Sequence, residues 1–194
     1  MFFDVATQGK NLRMNKKFKI LLPNLTLILG GAASGKSSYA ERLVNAGGRT
    51  RVYIATAQAF DDEMRDKIAA HRATRGDGWQ TIEAPLDVAG ALRGVGDGEV
   101  VLLDCATLWL SNAMLAERDL AQECAALLAA LRACPAPVVV VSNEVGMGIV
   151  PEHAMSRRFR NAQGSLNQDL AAQADLVVAV MAGLPLVLKG TVPA

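Results

Sequence analysis

A glycine-rich loop between an apolar run and a helical pattern constrains this chain more than any other feature. Residues 25–29 form a short apolar run typical of a buried strand, and Lys36–Ala46 has helical periodicity and ends before two glycines. Between them, Gly30 to Ser37 matches the complete Walker A pattern. Glycines let the backbone wrap closely around phosphate, and N–H groups at the helix N-terminus bind the anion. The sequence therefore predicts a P-loop that binds a nucleoside triphosphate.

Residue types within the loop predict individual roles. Lys36 is expected to act as a catalytic residue that contacts the terminal phosphates and neutralises the charge that develops there. The hydroxyl of Ser37 is expected to bind Mg2+. The full set of predicted phosphate-binding residues is Gly30, Gly31, Ala32, Ala33, Ser34, Gly35, Lys36, Ser37 and Ser38.

A carboxylate stands where a second magnesium ligand would be needed. Asp104 closes the apolar run of residues 100–103, so it is predicted at the carboxyl end of a strand, where open α/β sheets bind ligands. The alternative is that Asp104 only caps the helix that follows. Asn143 and Glu144 end the next apolar run and are candidates for substrate contact or for positioning a water molecule at the same edge.

Apolar runs alternate with amphipathic segments along the rest of the chain. This alternation predicts a single α/β domain over residues 24–194, with a mainly parallel sheet flanked by helices. Leu176–Met181 and residues 186–189, joined through residues 183–185, are predicted to form a C-terminal β-hairpin. Residues 1–23 are interpreted as a flexible basic leader.

Charge and composition exclude several classes of function. The chain has 20 basic and 19 acidic residues, which predicts no binding of nucleic acid or of an anionic membrane. No apolar run is long enough to span a bilayer. Cys105, Cys124 and Cys134 have neither a paired motif nor metal-ligand spacing, which favours reduced thiols in a cytoplasmic protein.

One of the two histidines lies on a basic helical face. Lys67, His71 and Arg75 are four residues apart on a helix predicted over residues 61–75, so they share one side. Cationic neighbours disfavour protonation of an imidazole, which keeps a ring nitrogen available as a nucleophile. The alternative is an ordinary solvated face. His153 is interpreted as structural or as a surface residue.

Several further stretches are more specific than the P-loop. They are Tyr53-Ile54-Ala55-Thr56-Ala57, Asp61-Asp62-Glu63-Met64, His71-Arg72, Trp79-x-Thr81-x-Glu83, Asp104-Cys105-x-Thr107, the nine residues 143–151, Arg158-Phe159-Arg160 and Gly164-x-x-Asn167-Gln168. Together with the P-loop, they resemble the bifunctional adenosylcobinamide kinase/adenosylcobinamide-phosphate guanylyltransferase family of cobalamin biosynthesis. The resemblance extends over about residues 25–190.

The resemblance implies two reactions: phosphorylation of adenosylcobinamide by ATP or GTP, and transfer of GMP from GTP through a GMP–histidine intermediate on His71. It also implies a RecA-like P-loop NTPase fold and a homo-oligomer, with a trimer typical. One departure is Ala33, where the family loop often has arginine. The residues that match the family's GTP contacts are Ala55, Thr56, Ala57, Arg72, Ala73, Thr74, Arg75, Glu83 and Asp104.

Two other functions fit the P-loop alone. One is a monofunctional small-molecule kinase, in which His71 has no role. The other is an ATPase or switch module that works through partners. A guanine-reading switch would have an Asn/Thr-Lys-x-Asp segment late in the chain, but the late apolar run ends in Ser142-Asn143-Glu144.

Overall fold

The structure is a computed structural model that describes residues 20–58 and 77–193, and its strands form one seven-stranded sheet. The strands are β1 (Leu25–Gly30), β2 (Thr50–Ala55), β3 (Trp79–Glu83), β4 (Glu99–Asp104), β5 (Val138–Asn143), β6 (Leu176–Met181) and β7 (Leu184–Lys189). The described helices are α1 (Lys36–Ala46), α2 (Val88–Arg93), α3 (Ala106–Leu115), α4 (Leu120–Ala133) and α5 (Ala154–Gln173). The predicted helix over residues 61–75, with Lys67, His71 and the segment Arg72–Arg75, lies outside the described residues.

The sheet is parallel except at one edge. Its order is β3-β2-β4-β5-β1-β6-β7, and only β7 runs antiparallel to its neighbour, β6. The mainly parallel sheet predicted from the sequence is therefore confirmed. The order places β5 between β1, which leads into the P-loop, and β4, which ends at Asp104. Parallel strands end at the same edge, so the residues that follow these strands can meet.

Both faces of the central sheet are covered by apolar cores. On one face, Ile28, Leu102 and Val141 pack with residues of α1. On the opposite face, Leu27 and Leu103 pack with residues of α3, α4 and α5. Successive side chains of a strand point to opposite faces, so burial on both faces requires an unbroken apolar run. This requirement explains why β4 and β5 contain so few polar residues.

The C-terminal hairpin turns earlier than the sequence predicted. Ala182 and Gly183 form the turn, with φ of 51° and 77°, and β7 begins at Leu184. Two successive residues with positive φ match the twist of a two-residue hairpin. Pro185 was expected in the turn, but it lies in β7 and pairs with Val180. An edge strand tolerates proline because it does not need every N–H for pairing.

The start of one helix and the start of the domain also differ slightly from expectation. The sequence pattern predicts a helix over 156–173, but helix α5 begins two residues earlier, at Ala154, with His153 as its N-cap. Residues 20–23, which the sequence assigned to the leader, pack on the domain. Leu22 is buried, and the Ile20 N–H donates to the carbonyl of Ala46 at 3.1 Å. Within the described ranges, no helix is long and apolar enough to cross a membrane.

Candidate active site

The P-loop adopts a backbone path that depends on glycine at two positions. Gly35 has a φ of 91°, and a Cβ there would lie 3.1 Å from the Cα of Gly183 in the hairpin turn. A Cβ on Gly30 would lie 2.6 Å from the carbonyl oxygen of Val180. The two fixed glycines of the Walker A pattern are therefore required here by packing against the β6–β7 hairpin as well as by the approach of phosphate.

Neighbouring segments hold the loop from both sides. The N–H of Glu144 donates to the carbonyl of Gly30 at 3.2 Å, and the N–H of Gly183 donates to the carbonyl of Ser34 at 2.8 Å. The Lys36 ammonium group donates to the carbonyl of Gly31 at 3.1 Å, so its side chain folds back over the loop. All three bonds are accepted by carbonyl groups of the loop, whereas a bound phosphate would accept from N–H groups of the loop. These three bonds therefore do not compete with phosphate.

The carboxyl edge of the sheet brings several predicted site residues together. Ala55 on β2 is in register with Glu83 on β3 and with Asp104 on β4. On the other side of β5, Gly30 is in register with Asn143. The structure thus places the P-loop, Ala55, Glu83 and Asp104 along one edge, as expected for a ligand site of an open α/β sheet.

The side chain of Asp104 is oriented by a tyrosine. The Tyr53 hydroxyl donates to Oδ2 of Asp104 at 3.2 Å. The Tyr53 ring packs edge-on against Trp79, with centroids 6.1 Å apart, and the Arg51 guanidinium lies 5.3 Å above the Trp79 ring. The alternative role of Asp104 as a helix cap is wrong, because the N-cap of α3 is Cys105, whose Sγ accepts from the N–H of Leu108 at 3.4 Å.

The Cys105 thiol is a packing and capping group rather than a nucleophile. Burial, followed by the negative charge of Asp104, raises the pKa of Cys105 to about 12, and the positive charge of Lys36 opposes this shift. A thiol with such a pKa stays protonated near neutral pH, and the thiolate is the reactive form.

Thr56, a predicted nucleotide contact, is fully buried and forms hydrogen bonds within the protein. Its hydroxyl donates to the carbonyl of Cys105 at 2.8 Å and accepts from the Cys105 N–H at 2.7 Å. Its N–H donates to the carbonyl of Asp104 at 3.2 Å, and its carbonyl accepts from the side chain of Asn112 at 2.8 Å. Thr56 therefore fixes the backbone that carries Asp104.

The sequence analysis assigned no role to several polar residues that support this edge. Asn112 also donates to the carbonyl of Pro85 at 3.0 Å, so it joins two loops. A buried polar cluster, defined here as Thr107, Ser142, Gln163 and Asn167, lies beneath the end of β5. A polar residue within an apolar stretch can indicate a buried polar position. The hydrogen-bond partners of these residues are mostly distant in the sequence, so only the three-dimensional structure identifies them.

The oxygen atoms predicted to bind magnesium suit that ion. Ser37 lies in the first turn of α1 and Asp104 ends β4, and both have the hard oxygen atoms that Mg2+ prefers as ligands. Mg2+ usually takes one or two protein ligands and completes its shell with water and substrate phosphates. A hydroxyl and a carboxylate beside a phosphate-binding loop fit that requirement.

Comparisons with known proteins match this chain to the same family along most of its length. A family model described as cobinamide kinase / cobinamide phosphate guanyltransferase matches residues 26–188. The chain is 47% identical over 167 residues to the bifunctional adenosylcobalamin biosynthesis protein CobP of Pseudomonas aeruginosa, covering 84% of this chain and 96% of that protein. It is 39% identical over 181 residues to the bifunctional adenosylcobalamin biosynthesis protein CobU of Escherichia coli, covering 85% and 99%.

A solved structure provides a comparison of fold alone. The flagellar accessory protein FlaH of Methanocaldococcus jannaschii is 14% identical to this chain, with a TM-score of 0.50 over 88% of this chain and 80% of that one. Together with the sheet order, this likeness confirms the predicted RecA-like P-loop fold.

The bonds of Thr56 lead to a prediction about stability. Thr56→Val keeps the shape of the side chain but leaves the Cys105 N–H and carbonyl without their buried partner. We expect the free energy of unfolding to fall by about 1–3 kcal/mol, measured by urea denaturation. Thr56→Ser should restore most of it, and Thr81→Val, at an exposed position of β3, should change it by less than about 0.5 kcal/mol. Equal effects at positions 56 and 81 would contradict the bonding role.

Proposed function

Since this chain belongs to the family of cobinamide kinases and cobinamide phosphate guanyltransferases, we propose how its own residues perform the two reactions. The enzyme phosphorylates adenosylcobinamide with a nucleoside triphosphate and then transfers GMP from GTP to adenosylcobinamide phosphate. The observation that carries the assignment is the register at the carboxyl edge. The P-loop after β1 and Asp104 on β4 flank the end of β5, so one bound triphosphate can contact both.

In the kinase reaction, the P-loop holds the triphosphate and Lys36 stabilises its terminal phosphates. The substrate hydroxyl attacks the γ-phosphorus directly, a new P–O bond forms, and the nucleoside diphosphate leaves. This displacement needs positioning and charge neutralisation more than covalent help from the protein. Ser37 and Asp104 would hold Mg2+, which neutralises phosphate charge when bound. Tyr53 orients the Asp104 carboxylate for this task.

In the transfer reaction, His71 attacks the α-phosphorus of GTP. A P–N bond forms, pyrophosphate leaves, and the phosphate of adenosylcobinamide phosphate then displaces the histidine to form the product. The spacing of Lys67, His71 and Arg75 in the sequence supports this proposal, since it predicts a basic helical face that would favour a neutral imidazole beside phosphates. The remaining predicted guanine-nucleotide contacts are Ala55, Ala57, Arg72, Ala73, Thr74, Arg75 and Glu83.

We also propose that the protein is a cytoplasmic homo-oligomer, with a trimer suggested by the family resemblance. The support lies in the hairpin edge. Met181 is 66% exposed and Leu184 is 72% exposed, and all of β7 is solvent-accessible in the single chain. Exposed apolar side chains on an open strand edge favour burial against another protein surface.

The two-reaction proposal is tested against a monofunctional kinase by covalent labelling. Protein incubated with GTP labelled on the α-phosphate should retain acid-labile label after denaturation, because the P–N bond is covalent. His71→Ala should lose this label and GMP transfer, while much of the phosphorylation of adenosylcobinamide persists. His153→Ala, at the exposed start of α5, should lose neither. Label that persists in the His71 variant would mean that another residue is the nucleophile.

The role of Lys36 is tested by removing its charge. Lys36→Ala should leave the fold intact and reduce kcat/KM for triphosphate reactions at least a hundredfold, or about 3 kcal/mol of transition-state stabilisation. Arg93→Ala, in the last turn of α2, is the matched loss of an exposed cation and should have little effect. Near-normal rates in the Lys36 variant would remove the P-loop from the mechanism.

The role of Asp104 is tested through the dependence of the rate on magnesium. Asp104→Asn keeps the shape but removes the charge, so half-maximal kinase activity should require a higher Mg2+ concentration, with partial recovery at saturation. Asp97→Asn, an exposed carboxylate before β4, should leave this dependence unchanged. If Asp104→Asn also leaves it unchanged, Asp104 is not a magnesium ligand.

A further inference from the structure

The end of β5 carries a polar side chain that faces the same side of the sheet as the P-loop. On β5, Val139 and Val141 pack into the core beside α1, so the alternation of a strand puts Asn143 on that face as well. On β4, Leu102 packs into the same core, so Asp104 also belongs to this face. Asn143 is in register with Gly30, the first P-loop residue.

The backbone of Asn143 is held by side chains from two helices. Its N–H donates to Oγ1 of Thr107, on α3, at 2.7 Å. Its carbonyl accepts from Nδ2 of Asn167, on α5, at 3.0 Å. Both backbone groups of Asn143 are therefore fixed, and they are fixed by side chains that are almost fully buried.

The buried polar cluster behind Asn143 is itself closely connected. The Ser142 hydroxyl donates to Oδ1 of Asn167 at 2.6 Å, and the Gln163 amide donates to both Ser142 and Asn167 at 2.9 Å. Such bonds in a low-dielectric interior rigidify the groups that they join. Oε1 of Gln163 is buried without a hydrogen-bond partner among the described residues, so burying this cluster has a free-energy cost that an apolar core would not have.

The Asn143 carboxamide, in contrast, makes no hydrogen bond to any residue that the structure describes, and Asn143 is only partly buried. A rigidly held residue with an available amide, between the P-loop and Asp104, is suited to contact a reacting phosphate. A preorganised donor of this kind stabilises charge that develops in the transition state.

We propose that Asn143 is a further catalytic residue of the kinase reaction and that the buried polar cluster positions it. Nδ2 of Asn143 donates a hydrogen bond to an oxygen of the γ-phosphoryl group as the substrate hydroxyl attacks. Thr107 and Asn167 act through Asn143 by fixing its backbone. This inference rests on the proposed kinase function and adds a residue to it.

The direct test compares three variants with the wild type. Asn143→Ala should reduce kcat for phosphorylation of adenosylcobinamide about a hundredfold, with the affinity for a fluorescent nucleotide analogue changed less than about threefold. Asn143→Asp removes the donor and adds a negative charge, so it should be at least as slow as Asn143→Ala. Asn161→Ala, an exposed asparagine on α5, should retain wild-type rates.

The positioning role is tested at Thr107. Thr107→Val removes the acceptor for the Asn143 N–H and should reduce kcat about tenfold, and Thr107→Ser should restore it to within about threefold. In the Asn143→Ala background, Thr107→Val should cause no further loss, because the side chain that it positions is gone. A residue that only supports the fold would reduce activity equally in both backgrounds. Circular dichroism and nucleotide binding verify that each variant is folded.

The outcomes separate this inference from the proposed function. A wild-type protein that does not phosphorylate adenosylcobinamide contradicts the proposed function itself. An active wild type with an equally active Asn143→Ala contradicts only the inference. If Asn143→Asp is faster than Asn143→Ala, the residue does not act as a donor to phosphate. Additive losses in the double variant contradict the positioning role of the cluster.

Discussion

The structure depends on holding one short loop of backbone, the P-loop, in a fixed path at the carboxyl edge of the sheet. Its carbonyls are held from two sides. The end of β5 holds the carbonyl of Gly30 through Glu144, and the hairpin turn holds the carbonyl of Ser34 through Gly183. These contacts require a close approach of backbone to backbone, which only glycine allows at Gly35. The central strand β5 and the C-terminal hairpin therefore both support the P-loop.

The same constraint explains where the protein buries its polar side chains. Part of the backbone after the strands is buried, so its N–H and carbonyl groups need partners from the protein. The Thr56 hydroxyl satisfies the backbone after β4, and Asn112 satisfies the backbone after β2 and β3. Thr107 and Asn167 satisfy the end of β5. Each buried group left unpaired would cost about 1–3 kcal/mol. The result is an edge whose geometry is set before a nucleotide binds.

Sequence-based prediction succeeded where a feature is local. The Walker A pattern predicted the loop and α1, whose observed bounds are the expected ones, Lys36–Ala46. The apolar run before Asp104 predicted β4 and the place of the carboxylate at its end. The predicted position of the hairpin turn was wrong. Proline is common in turns, so Pro185 was expected there, but an edge strand can include proline, and Pro185 lies in β7. The GMP–histidine step stays a prediction, since His71 lies outside the described residues.

By itself, the sequence determined the phosphate loop, the alternation of strands and helices, and the family to which the chain belongs. Each of these features depends on residues that are close together in the sequence or on a pattern of residue types. Only the tertiary structure decided that Tyr53 bonds to Asp104, that Gly183 bonds to the P-loop, and that Asn143 stands on the P-loop face. These relations depend on strand order and register, which bring together residues as distant as Ser34 and Gly183. Local secondary-structure propensity does not predict such pairings, because they form only when the sheet assembles.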